Sequence, residues 1–157
     1  NMGAMVSDPQ RDRAEGLVEA AAAEGATVAT GGRRLNLPGS FLSPTVISGV
    51  TPDMQIAGTE VFGPVLSVLK TGSKDEAINI ANSTEYGLIG GIFTADIDAA
   101  HRAARRICAG QIFINEWYAG GEETPFAGYG KSGYGREKGR EALWNCVQTK
   151  NIAYRTR

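Results

Sequence analysis

Three observations place this sequence in the α/β class, as a mostly parallel sheet with covering helices. Short runs rich in β-branched and aromatic residues, such as Thr45-Val46-Ile47, Val65–Leu69 and Gln111–Asn115, alternate with stretches of helical periodicity. Alternation of this kind builds βαβ units, because parallel strands need a crossover that a helix supplies. Glycine contributes 21 of the 157 residues, above the usual ~7%, which favours short elements and tight turns over a long helical bundle.

Each element has a local reason. Asp8-Pro9 opens the first helix, with Asp8 able to cap free N–H groups and Pro9 preset at the first helical position. Ala14, Leu17, Val18, Ala21 and Ala22 then form one apolar stripe, and Gly25 is placed to stop the helix. Ala26–Thr30 reads as a short strand ending at the Gly31-Gly32 turn, and Thr45–Ile47 and Val65–Leu69 as two more. Ser73-x-x-Glu76 is a capping box that opens a helix to about Ser83, with Ala77, Ile80 and Ala81 facing inward. Gly87–Thr94 is turn and strand. Asp96 caps a third helix whose inner face is Ala99, Ala100, Ala103, Ala104 and Ile107, and Gln111–Asn115 is a fifth strand. The glycine-rich segment Glu116–Arg136 reads as a loop too long to be a mere connector, and such loops tend to carry function. A short helix near Gly139–Asn145 and a last strand, Val147–Tyr154, complete the chain. Residues 1–145 are expected to form one body and 146–157 a terminal strand and tail.

Composition excludes several classes. With 16 basic against 17 acidic residues, nothing draws the chain to nucleic acid or an anionic membrane. No run approaches the ~18 apolar residues of a membrane span. Asn1–Met5 lacks the basic and apolar regions of a secretory signal and does not resemble a natural N-terminus. Two cysteines, Cys108 and Cys146, without a Cys-x-x-Cys pair fit a reducing compartment such as the cytoplasm and argue against a zinc or other metal site.

Glu60-Val61-Phe62-Gly63-Pro64, followed by the apolar run Val65–Leu69, resembles the Glu-x-Phe-Gly-Pro segment of the NAD(P)-dependent aldehyde dehydrogenases. The likeness runs almost end to end. Met2–Ser7 with Gln10 and Arg13, Glu24-Gly25-Ala26, Gly31-Gly32, Pro44-Thr45-Val46, Asn82, Tyr86-Gly87-Leu88 and Phe93-Thr94 are similar to successive family landmarks. So are Ala109–Asn115 and Pro125–Glu137, the latter close to Pro-Phe-Gly-Gly-x-Lys-x-Ser-Gly-x-Gly-Arg-Glu. Thr59, Ala127 and Gly130 depart from the pattern, and Ala127 limits backbone freedom where the family has Gly.

The resemblance implies oxidation of an aldehyde to a carboxylic acid with NAD or NADP, through a Cys thiohemiacetal and thioester. It implies that Glu60 holds the ribose hydroxyls beside the nicotinamide, and that Phe62 packs near the nicotinamide itself. Phe126 matches a substrate-tunnel aromatic, and Trp117, Tyr118 and Gly120 lie in the loop that varies with substrate. Glu122 and Glu123 near that tunnel suggest a cationic aldehyde of amino or betaine type. Val147–Tyr154 corresponds to the strand that joins subunits into a homodimer or homotetramer. The family's Cys nucleophile and Glu base precede the Met-Gly landmark, here residue 2, so no catalytic residue is expected in this chain and the chain alone is expected to be inactive. The alternative is a free-standing, non-catalytic binding or oligomerisation module derived from the same fold.

Other motifs have plainer readings. Cys108 ends an alanine-rich helix and reads as a buried structural thiol, and Cys146 as equally inert. Gly128-x-Gly130-x-x-Gly133 lacks a preceding strand and an acid ~20 residues on, as a dinucleotide fingerprint requires. The same stretch nearly reads as a Walker loop, but Pro125 stands at the required first glycine. The single histidine, His101, reads as a solvated surface residue, and Arg102, Arg105 and Arg106 as charges favoured at a helix C-terminus.

Overall fold

The structure is a computed structural model that describes residues 2–118 and 120–156. It comprises two compact units, one through residue 80 and one from residue 81.

In the first unit α1 (Asp8–Ala23) leads to β1 (Thr27–Thr30), β2 (Thr45–Ser48), α2 (Gln55–Gly58), β3 (Val65–Val68) and α3 (Lys74–Ala81). The three strands form one sheet in the order β1-β2-β3. β1 runs antiparallel to β2, and β2 parallel to β3 with Thr45 opposite Val65. A mostly parallel sheet is therefore corrected here. No helix lies between β1 and β2; the chain returns through an antiparallel bridge of Arg34 and Leu42, and a strand that comes back without a crossover pairs antiparallel. Of the apolar stripe of α1, Ala14, Leu17, Val18 and Ala21 are buried, whereas Ala22 is exposed. Leu17, Val18 and Ala21 pack with Ala26, Ile47, Val50, Met54 and Ile56 into the core.

Helix ends depart from expectation in informative ways. Ser7, not Asp8, is the N-cap of α1, its Oγ accepting from the Gln10 N–H at 3.4 Å. The capping box at α3 is half formed: Ser73 Oγ accepts from the Glu76 N–H at 3.1 Å, whereas the Glu76 carboxylate accepts from Gly72 N–H at 2.7 Å. Ile78 is the buried residue of α3, while Ala77 and Ala81 are exposed. The larger side chain takes the inward face because it gains more from leaving water.

In the second unit β4 (Tyr86–Gly87) and β5 (Ile89–Ile92) precede α4 (Ile97–Ala104), β6 (Gln111–Ile114), β7 (Tyr129–Gly130) and a 3₁₀ helix, Arg140–Cys146. β5 and β6 are parallel, joined by the α4 crossover, and β4 pairs antiparallel with β7. The segment read as a loop thus contains a strand, β7, and an antiparallel bridge between Phe126 and Glu137. Asp96 caps α4 as expected, accepting from the Ala99 N–H at 2.8 Å, and Ala99 and Ala100 are buried. Cys108 is exposed, as is Cys146, correcting the buried thiol. The strand expected at Val147–Tyr154 is not formed: residues 147–156 lie outside every helix and strand and are exposed. Their mixed polarity offers no apolar face to lay against this unit. Among the described residues no helix is long and apolar enough to cross a membrane, and no group of three or more His, Cys, Asp or Glu could hold a metal ion.

Candidate cofactor turn and substrate loop

The turn before β3 displays Glu60 and Phe62 outward. Phe62 has φ 54°, a left-handed conformation, and its ring is 73% exposed. Such a backbone in a bulky residue costs roughly 1–3 kcal/mol and persists only where its surroundings impose it. Here they do. Gln10 Nε2 donates to the Val61 carbonyl at 2.9 Å and the Phe62 carbonyl at 3.1 Å. Arg13 Nη1 donates to the Glu60 and Val61 carbonyls, and Nη2 to Glu60, each at 3.2 Å. Gly63 completes the fit, since a Cβ there would lie 2.9 Å from Met5 Cε and 3.4 Å from Ala14 Cβ.

The helix that supplies these donors is itself tied down. Arg34 donates through its backbone N–H and its guanidinium to the Glu15 carboxylate. Those bonds hold the Glu15 carboxyl below its ordinary value. Asp8 accepts from Ser40 Oγ at 2.6 Å and from Arg11 at 2.7 Å, and the Ser40 bond leads in lowering its pKa. Both ties join α1 to the excursion between β1 and β2.

The second unit gathers the aromatic residues. The Phe113 ring, buried on β6, lies 6.1 Å from Trp117 and 6.4 Å from Tyr118, both tilted. Gly91 of β5 makes room for the indole, since a Cβ there would come within 2.9 Å of it. Tyr118 has φ 62°, again left-handed. Tyr118, Gly120 and Phe126 line one small hollow with Gln111, Phe113, Thr124 and Lys138. The Lys138 ammonium stands 6.0 Å from the Phe126 ring centroid. Phe126 also borders an open cleft of about 460 Å³ lined by Leu88, Ser132, Arg136 and their neighbours. The structure therefore brings together Tyr118, Gly120 and Phe126, with Trp117 against the Phe113 ring but not among the residues that line the hollow. Glu122 and Glu123 are exposed on the same loop.

Two asparagines hold this frame. Asn115 Nδ2 donates to the Thr94 carbonyl at 2.8 Å while its Oδ1 accepts from the Thr94 N–H at 2.7 Å, continuing the β5–β6 pairing with a side-chain amide. Asn82 likewise bonds the Arg106 carbonyl and the Cys108 N–H, each at 2.8 Å. The Gly128–Gly133 stretch forms β7 and a turn, with Gly128 packed on Ser132, rather than the start of a helix. Gln10, Arg13 and Lys138 are the site residues that motif matching gave no role; Gln10 and Arg13 differ by three positions on one helix, the spacing that puts two side chains on one face.

The sequence matches the aldehyde dehydrogenase family over residues 1–152. The chain belongs to the aldehyde dehydrogenase family. It is 46% identical over 155 residues to a betaine aldehyde dehydrogenase of Brucella anthropi, an alignment covering 96% of this chain and 32% of that protein. An NAD-dependent aldehyde dehydrogenase from Sinorhizobium meliloti superposes with a TM-score of 0.91 at 42% identity, covering 95% of this chain and 30% of that one. The NAD+ complex of an aldehyde dehydrogenase from Bacillus cereus gives 0.87 at 43% identity, covering 92% and 30%. The chain spans about a third of the length of these aldehyde dehydrogenases.

Proposed function

We propose that this chain is the portion of an NAD- or NADP-dependent aldehyde dehydrogenase that supplies half of the cofactor clamp and part of the substrate tunnel. The observation that carries the reading is the Glu60–Phe62 turn. It holds an outward carboxylate two residues from an outward aromatic ring on a backbone fixed from beneath. The donor set fits a nicotinamide riboside: a carboxylate accepts two vicinal hydroxyls, and an aromatic ring packs against a planar heterocycle. When bound, the nicotinamide would supply an acceptor for the hydride that leaves the thiohemiacetal carbon as the thioester forms. Glu60 orients the ribose, Phe62 limits the position of the ring, and Trp117, Tyr118, Gly120 and Phe126 exclude water around the aldehyde.

The Cys that forms the thiohemiacetal and thioester, and the Glu base, belong in this reading to preceding residues of a longer subunit. Residues 1–145 are a portion of its catalytic domain, and 146–157 an oligomerisation strand that pairs with a neighbouring subunit in a homodimer or homotetramer. The extended backbone at Val147, φ −128° and ψ 157°, suits that pairing. Two free, exposed thiols suit a cytoplasmic enzyme. A cationic aldehyde of betaine type is the proposed substrate class. The Brucella relative's name, the accessible faces of Trp117 and Tyr118, and Glu122 and Glu123 favour it; Lys138 is the opposing charge.

The test is Glu60→Ala in the full subunit, with binding of NAD and NADP followed by calorimetry. Roughly tenfold weaker binding is expected, the loss of a charge-assisted hydrogen-bond pair; unchanged affinity for both would sink the reading. The 157-residue chain alone should reduce no NAD in the presence of betaine aldehyde, and measurable NADH from it would overturn the assignment of the nucleophile to other residues.

A further inference from the structure

The Glu60–Phe62 turn is held from outside itself. Three successive carbonyls, those of Glu60, Val61 and Phe62, receive donors from only two side chains, Gln10 and Arg13, one turn apart on α1. The platform is rigid, since Ala14, Leu17, Val18 and Ala21 of the same helix are buried. With the carbonyls drawn to α1, the side chains of Glu60 and Phe62 project away from it and are exposed. An isolated Phe would leave φ 54° for a commoner conformation, and doing so would rotate the peptide planes on both sides of it. The carboxylate and the ring would then no longer be presented together.

We infer that Gln10 and Arg13 are positioning residues of the cofactor clamp, locking the left-handed turn so that Glu60 and Phe62 meet the nicotinamide riboside already aligned. The inference rests on the clamp reading above. A flat guanidinium fork can reach two neighbouring carbonyls at once, which one ammonium does poorly. Gln10 completes the set, and its amide bridges Val61 and Phe62. Pre-alignment of this kind acts on affinity by removing an ordering cost at binding.

The experiment compares Arg13→Met, Gln10→Leu, the double variant, Arg13→Lys and Glu60→Ala in the full subunit. It has two readouts: backbone amide exchange of the 60–66 segment without cofactor, and calorimetric affinity for NAD and for ADP. Expected are faster exchange across 60–66 and roughly tenfold weaker NAD binding in Arg13→Met, with more loss in the double variant. Affinity for ADP, which lacks the nicotinamide riboside, should stay within about twofold. Arg13→Lys should fall between Arg13→Met and the parent. Unchanged exchange in Arg13→Met, or equal losses for NAD and ADP, would overturn the inference. If Glu60→Ala weakens NAD binding and the double variant does not, this inference alone fails. If Glu60→Ala leaves NAD binding intact, the clamp reading fails and takes it along.

Discussion

The Glu60–Pro64 turn and the loop that follows β6 both carry a left-handed aromatic residue, Phe62 in one and Tyr118 in the other, yet they are braced by different means. Side chains of a core-anchored helix grip the turn by its carbonyls. The loop is held by backbone crossing backbone: Phe126 and Glu137 exchange two hydrogen bonds at 2.7 and 2.8 Å, and the Gly139 N–H donates to Glu122 at 2.7 Å. Ahead of those fixed points, the Trp117 and Tyr118 rings lie 6.1 and 6.4 Å from the Phe113 ring. Under the function proposed above, the difference would suit two tasks: a clamp for an invariant molecule gains from a rigid seat, and a surface that selects among aldehydes gains from rings that can be exchanged without unfolding their support.

The contrast should break most clearly at two glycines. A Cβ on Gly110 would overlap the Ala127 carbonyl, whereas one on Gly63 would meet chiefly the flexible tip of Met5. Gly110→Ala should cost about 3 kcal/mol or more and Gly63→Ala about 1 kcal/mol, compared by thermal denaturation. Equal costs would mean that the loop is not held by backbone proximity. Next in size, Trp117→Ala should raise KM for a cationic aldehyde roughly tenfold through loss of a ring–cation contact while leaving NAD affinity unchanged; a parallel loss of cofactor binding would erase the separation of the two regions. The smallest effect is acid dependence of the platform. Asp8 and Glu15 are held below their ordinary 3.8 and 4.5, so their contributions are complete above those values and are lost as pH falls through the lower folded ones. Melting temperature should be level down to about pH 5 and decline below it, and Asp8→Asn/Glu15→Gln should flatten that decline.

Much of this is legible in the sequence. The α1 stripe, the Asp96 cap and the sheet-forming runs follow from spacing and side-chain shape, and the Glu60–Pro64 pentapeptide marked the turn. What stayed hidden depends on contacts distant in sequence. Gln10 and Arg13 reach residues about fifty positions away, and nothing local announces that reach. The antiparallel turn of β1 onto β2 hid because strand composition does not encode direction. β7 is hidden because a two-residue strand, Tyr129-Gly130, has no period to read. Alanine periodicity continued past Ala104 would bury Cys108, but α4 ends at Ala104 and Cys108 is exposed.

Asn115 has a consequence of its own. Its amide stands in for a peptide group against Thr94, so the last rung between β5 and β6 depends on one nitrogen being nitrogen. Deamidation would exchange that donor for an acceptor and set a carboxylate against the Thr94 carbonyl, two acceptors facing each other with no proton to share. Chemical ageing at a single atom would thus unfasten the strand end from which the Trp117 loop departs, with no change in any codon.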